Sequence, residues 1–159
     1  MTLNLNELVR GGTVCLCKAG LAIGSTPAEI SWTNADGTGF INYAINGIAY
    51  SAADDASQAV TAGDEQSVLT KCLYLVLLDS SGTLSTVQGT EQLTASLTAG
   101  TVVLEWPTPT ADTCCIGAFK VQTKVAGTYT AGTTALTPAA TLAVTYYDLF
   151  AVPAAPLTS

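Results

Sequence analysis

The sequence predicts an all-β fold: a single β-sandwich or barrel-like domain with an extended N-terminal arm and an irregular C-terminal tail. Three observations carry this. Short runs rich in β-branched and aromatic residues recur between Gly, Pro, Asn and Asp clusters. Asn46-Gly47 stands between two such runs, and that pair is the strongest short hairpin signal because both residues of a type I′ turn need positive φ. No repeat with a period of about 20–50 residues is present, which excludes a solenoid. The 159 residues suit one domain with one core. Residues 1–30 read as an N-terminal arm or edge element, 31–150 as the β domain, and 151–159 as the C-terminal tail.

Along the chain, Asn4 with Glu7 three residues on suggests a capped short helix through Val9, stopped by Gly11-Gly12. Thr13–Cys17 is a short β-like run, and Leu21–Pro27 is small and reads as flexible. Glu29–Thr33 alternates as a strand, and Asn34-Ala35-Asp36-Gly37 turns it. Phe40–Ile45 and Ile48–Tyr50 flank the Asn46-Gly47 turn. Ser51–Glu65 is small and polar, and reads as a long loop. Thr70–Asp79 is almost continuously apolar, the pattern of a strand buried on both faces. Asp79-Ser80-Ser81-Gly82 turns it into Thr83–Gln88 as a second hairpin.

Glu91–Leu104 spaces Leu93, Leu97 and Leu104 for a helix face but is interrupted by Gly100, so a short helix and then a strand are expected. Pro107 and Pro109 force a loop. Ile116–Lys124 alternates as a strand, with Ile116, Ala118 and Lys120 on one face and Phe119 and Val121 on the other. Tyr129–Leu136 is Thr-rich extended chain with a turn at Gly132, and Leu142–Phe150 is the last strand. The tail carries Pro153 and Pro156, so it cannot continue a central strand and runs over the surface.

Composition narrows the function. Hydrophobic residues make up 48% and charged residues 11% of the chain, which excludes disorder and leaves a neutral, hydroxyl-rich surface. Five basic against twelve acidic residues give a net charge of −7, the wrong sign for gripping phosphates, so no nucleic-acid partner is expected. The longest apolar run, Cys72–Leu78, is far short of the roughly 20 residues of a membrane-spanning helix. The N-terminus lacks the basic-then-apolar pattern of a secretory signal, which suggests a protein made in the cytoplasm. Histidine is absent, which removes the commonest general base and metal ligand. The balance leans to a structural or binding protein rather than an enzyme.

The candidate chemical groups fit that balance. Cys15, Cys17, Cys72, Cys114 and Cys115 form no spaced framework and read as small, reduced, buried side chains. Cys114 and Cys115, adjacent in extended chain, point to opposite faces and so cannot readily share a metal. Lys18, Lys71, Lys120 and Lys124 lie in no motif that would activate a hydroxyl. Asp54-Asp55 and Asp64-Glu65 could serve a glycosidase or bind calcium only if the fold gathered them, and a solvated loop is the simpler reading. Trp32, Tyr43, Tyr50, Trp106, Tyr129, Tyr146 and Tyr147 could stack on sugars, but core or interface roles are favoured. No catalytic residue, cofactor or metal ligand is assigned.

The runs Lys71–Leu84, Ile116–Val121, Tyr129–Leu136 and Tyr146–Leu149 resemble segments of small virion proteins of tailed bacteriophages, over roughly residues 38–157. In size, acidity and β character the chain is similar to capsid decoration (cement) proteins. That resemblance implies binding to the outer surface of an assembled head, with the major capsid protein as partner and a homo-oligomer, a trimer foremost, as the active form. It also implies no turnover. The alternative is a head-fibre or tail receptor-binding module that recognises a host glycan. Leu3, Leu5, Leu8 and Val9 are assigned to the capsid or a neighbouring subunit, because so short a segment cannot bury those side chains alone.

Overall fold

The computed structural model describes residues 12–157. In chain order its elements are β1 (Val14–Cys15), β2 (Ala22–Ile23), β3 (Glu29–Trp32), β4 (Phe40–Ile45), β5 (Ile48–Ala53) and β6 (Asp55–Ala59). There follow β7 (Thr70–Leu78), β8 (Leu84–Gln88), β9 (Gln92–Leu93), α1 (Thr94–Thr98), β10 (Cys114–Thr123) and β11 (Leu142–Asp148). Strands hold 42% and helix 3% of the described residues, so the all-β expectation holds. Three open antiparallel sheets, β1-β4-β5, β2-β3-β6 and β11-β10-β7-β8, pack together as a sandwich rather than closing into a barrel.

The two longest strands, β7 and β10, lie side by side at the centre. One face of this pair, with Cys72, Tyr74, Val76, Leu78, Phe119 and Val121, packs in one core with Cys15, Ile30, Trp32, Ile41 and Tyr43 of the other two sheets. The opposite face, with Leu73, Leu75, Leu77, Cys115 and Ala118, is covered by Leu97 of α1, Leu104, Trp106 and the tail residues Val152 and Leu157. Both faces of β7 are therefore buried, which is why its sequence shows no alternation.

Both expected hairpins are present. Asn46 and Gly47 adopt φ of 52° and 82°, and Ile45 pairs with Ile48 across the turn. At the second turn the Asp79 carboxylate accepts hydrogen bonds from the Ser81 and Thr83 amides and the Ser81 hydroxyl, while Gly82 takes φ 80°. Those bonds, the Ser81 hydroxyl foremost, hold the Asp79 carboxyl below the usual carboxylate range.

Four local expectations are corrected. Ser51–Glu65 is not one long loop: its first half completes β5 and forms β6, which pairs with β3. Ala, Ser and Asp are poor strand formers, but here edge pairing decides. In Glu91–Leu104 the helix α1 forms, yet no strand follows, and Leu104 makes only a single bridge to Leu157. Tyr129–Leu136 is a bridge from Tyr129 to Gln66 followed by a turn closed by Thr133 and Thr134 on the Thr130 carbonyl. Finally, a β-bulge inserts Ile116 between the Cys115–Leu77 and Gly117–Val76 pairs. That extra residue moves Ile116 to the face of Phe119 and Val121, leaving Ala118 with Cys115 on the other.

Candidate interaction surface

The cysteine side chains lie inside the fold. All five thiols are free and buried. Burial raises the Cys15 and Cys72 thiols to about 11, and the Cys114 and Cys115 thiols to about 12, so thiolate is suppressed at neutral pH. Cys114 and Cys115 do face opposite sides of β10, one in each core cluster.

The carboxylates of Asp54 and Asp55 serve local structure. Asp54 accepts a 2.9 Å hydrogen bond from the Asn34 amide. Asp55 accepts from the Ser57 amide and the Gln58 side chain, at 2.9 and 2.7 Å. Among the described residues no three Cys, Asp or Glu side chains gather to hold a metal ion. A buried polar network that sequence reading missed runs from Gln66 through Thr70 to Thr123, with Tyr74 donating to Gln66 Oε1 at 3.3 Å. Glu91 closes its outer end on Ser67 and Thr70. Its members satisfy one another, so it fastens the ends of β7 and β10 rather than presenting a group to a ligand.

The aromatics weighed for sugar stacking are buried or partly buried. Trp32, Tyr43, Tyr74 and Tyr129 are buried, and Tyr74 stacks on Phe119 at 4.9 Å between ring centres. Trp106 meets Tyr147 edge to face and donates its indole N–H to the Ala155 carbonyl at 2.9 Å, pinning the tail.

One solvent-facing sheet stands out for lacking charge along two of its strands. No Asp, Glu, Lys or Arg occurs between Asp36 and Asp54, so β4, β5 and their hairpin carry no charge. Ile41, Tyr43 and Ile45 point inward, while Phe40, Asn42 and Ala44 alternate outward. Beside them Leu16 follows β1 and bonds through its amide to the Asn42 carbonyl at 2.9 Å. Phe40 is 50% and Leu16 58% exposed, and Ile48 at the hairpin end is 59% exposed. Phe150, 58% exposed, joins the same sheet margin, its carbonyl accepting from the Cys15 amide at 2.8 Å.

Phe150 and Thr13 also line a groove of about 680 Å³ between the 105–113 loop and the tail. Trp106, Pro107, Val152 and Pro153 form its apolar walls. The groove and the sheet face thus meet at one margin. The chain enters there too: the Gly12 carbonyl accepts from the Gly47 amide at the hairpin tip, and Thr13 Oγ1 from the Asn46 amide. Leu3, Leu5, Leu8 and Val9, together with the short helix expected there, lie outside the described residues. The surface residues Leu16, Phe40, Ile48 and Phe150 are not singled out by the sequence; the charge-free stretch points to Phe40 and Ile48, whereas Leu16 and Phe150 lie outside it and join the sheet only through the fold.

No protein-family model, characterised protein or solved structure matches the chain. Among the described residues no helix is long and apolar enough to cross a membrane.

Proposed function

We propose that this chain is a capsid decoration protein, binding the outer surface of an assembled bacteriophage head and bridging neighbouring capsid subunits without turnover. One observation carries the reading: an acidic chain of net charge −7 keeps one sheet face free of charge, with Leu16 and Phe40 exposed on it. A charge-free face that exposes apolar side chains suits a protein partner. The resemblance to phage virion segments supplies the kind of partner, the major capsid protein. A protein that binds only the assembled shell stabilises that state by mass action. Net negative charge keeps the free protein soluble until that surface is offered.

The test mixes purified protein with expanded heads lacking it and, separately, with unassembled capsid protein. Saturable binding to heads alone, with a raised rupture temperature, supports the reading. Equal binding to free capsid protein, or binding to host cells but not heads, refutes it in favour of a fibre or receptor-binding role.

A further inference from the structure

We propose that β5 is a homodimerisation strand, pairing antiparallel with β5 of a second copy about a two-fold axis at Tyr50. The proposal does not depend on the decoration reading. It starts from backbone geometry. Val14 and Cys15 pair with Ala44 and Tyr43, and the Leu16 amide bonds to the Asn42 carbonyl, so Asn42 and Ala44 direct their backbone groups toward β1. Alternation then makes Ile41, Tyr43 and Ile45 the residues that bond to β5. Their partners on β5 are Ala52, Tyr50 and Ile48. Ala49 and Ser51 are left with N–H and C=O groups facing away from the sheet, and they form no other hydrogen bond among the described residues. The edge closes only at its far end, where Trp32 Nε1 donates to the Ala53 carbonyl at 2.9 Å.

Exposed edges invite strand addition, and proteins ordinarily blunt them with charge, proline, bulges or a covering chain. The edge of β8 is covered: Thr61 Oγ1 accepts from the Thr86 amide, and the Asp64 carbonyl from Gln88 Nε2. β5 has none of these devices; it is regular, uncharged and free of proline.

Charge and register select a second copy as the occupant. Two chains of net charge −7 repel, and β5 itself, Ile48–Ala53, is a strand along which they meet with no charged side chain on either paired segment. A two-fold at Tyr50 sets Ala49 against the partner's Ser51 and Ser51 against the partner's Ala49. Both are hydrogen-bonding pairs, so the four free backbone groups of each chain are satisfied. In the same register Asp54 falls opposite the partner's Asn46, whose side-chain amide donates to the Asp112 carboxylate at 2.9 Å, so like charge is confined to the two ends of the paired strands. Ile48, exposed in the single chain, falls opposite the partner's Ala52. Tyr50 meets the partner's Tyr50 as a close non-hydrogen-bonded pair, extending the Tyr43–Tyr50 stack, whose ring centres are 5.9 Å apart.

Sedimentation velocity on the full chain tests this. A species of twice the 16.2 kDa chain mass is expected, growing with concentration. The double variant Ala49→Lys/Ser51→Lys sets lysine against lysine across both pairs and should weaken dimerisation by about tenfold or more. Ala49→Lys/Ser51→Glu sets lysine against glutamate and should restore it. Both positions are exposed in the single chain, so circular dichroism melting should be unchanged when monomeric. A chain that stays monomeric overturns the proposal. So does a dimer or trimer that the double-lysine variant leaves intact, or a charge-swapped variant no better than the double lysine.

Discussion

The Tyr43 phenol donates a 2.7 Å hydrogen bond to the Asp79 carbonyl, tying the first hairpin to the turn of the second across the sandwich. Tyr43 is fully buried, and Ile41 beside it in the same core helps hold the ring in place. The bond joins two sheets that share no strand pairing.

Tyr43→Phe should therefore keep the fold and lose about 1 kcal/mol, the usual net worth of one internal hydrogen bond. For a chain of this size that lowers Tm by about 2–4 °C, measurable by calorimetry. An unchanged Tm would show that the two hairpins are held by packing alone.

The bulge in β10 gives a second expectation. A Cβ on Gly117 would collide with Leu21 Cδ1 and lie 2.6 Å from the Tyr147 carbonyl oxygen. The leucine could turn aside, but the carbonyl belongs to the paired strand β11. Gly117→Ala should cost about 1–3 kcal/mol by overpacking. Chemical denaturation would show it as a lower midpoint with an unchanged slope.

That position illustrates what the sequence hides. The strand over 116–124 is legible from alternation, but a bulge has no periodic signature, and so alternation alone places Ile116 on the face opposite to the one it occupies. The Asn46-Gly47 turn was legible because its chemistry is local. β6 was not, because Asp55–Ala59 becomes a strand only by pairing with β3, a contact that joins Glu29 to Ala59 across thirty positions of chain. The candidate surface was hidden for a related reason: which of Phe40 and Ile41 faces water depends on what covers the sheet, and only packing decides that.

Thiol chemistry supplies the third expectation. Native protein at pH 8 should resist alkylation, while denatured protein should take up five equivalents, matching five free thiols. Because burial raises four of these thiols, the folded state favours their neutral forms. The sign follows from linkage. Their contribution is fully present below the unfolded thiol value of about 8.5 and is lost as pH rises through 11 to 12. Tm should accordingly fall above about pH 9. Chelators should leave it unchanged, and a Tm lowered by chelation would reveal a metal held by these side chains.

The account rests on the charge-free sheet face as the docking surface, and its most direct test is binding of a Leu16→Asp/Phe40→Asp variant to expanded phage heads. Both side chains are at least half exposed in the free chain, so the variant should fold and melt as the parent does. Placing two carboxylates within an apolar contact should weaken binding to heads by about a hundredfold, since each would be desolvated without a partner. Parent-like affinity of this variant for the heads would contradict the assignment of that face.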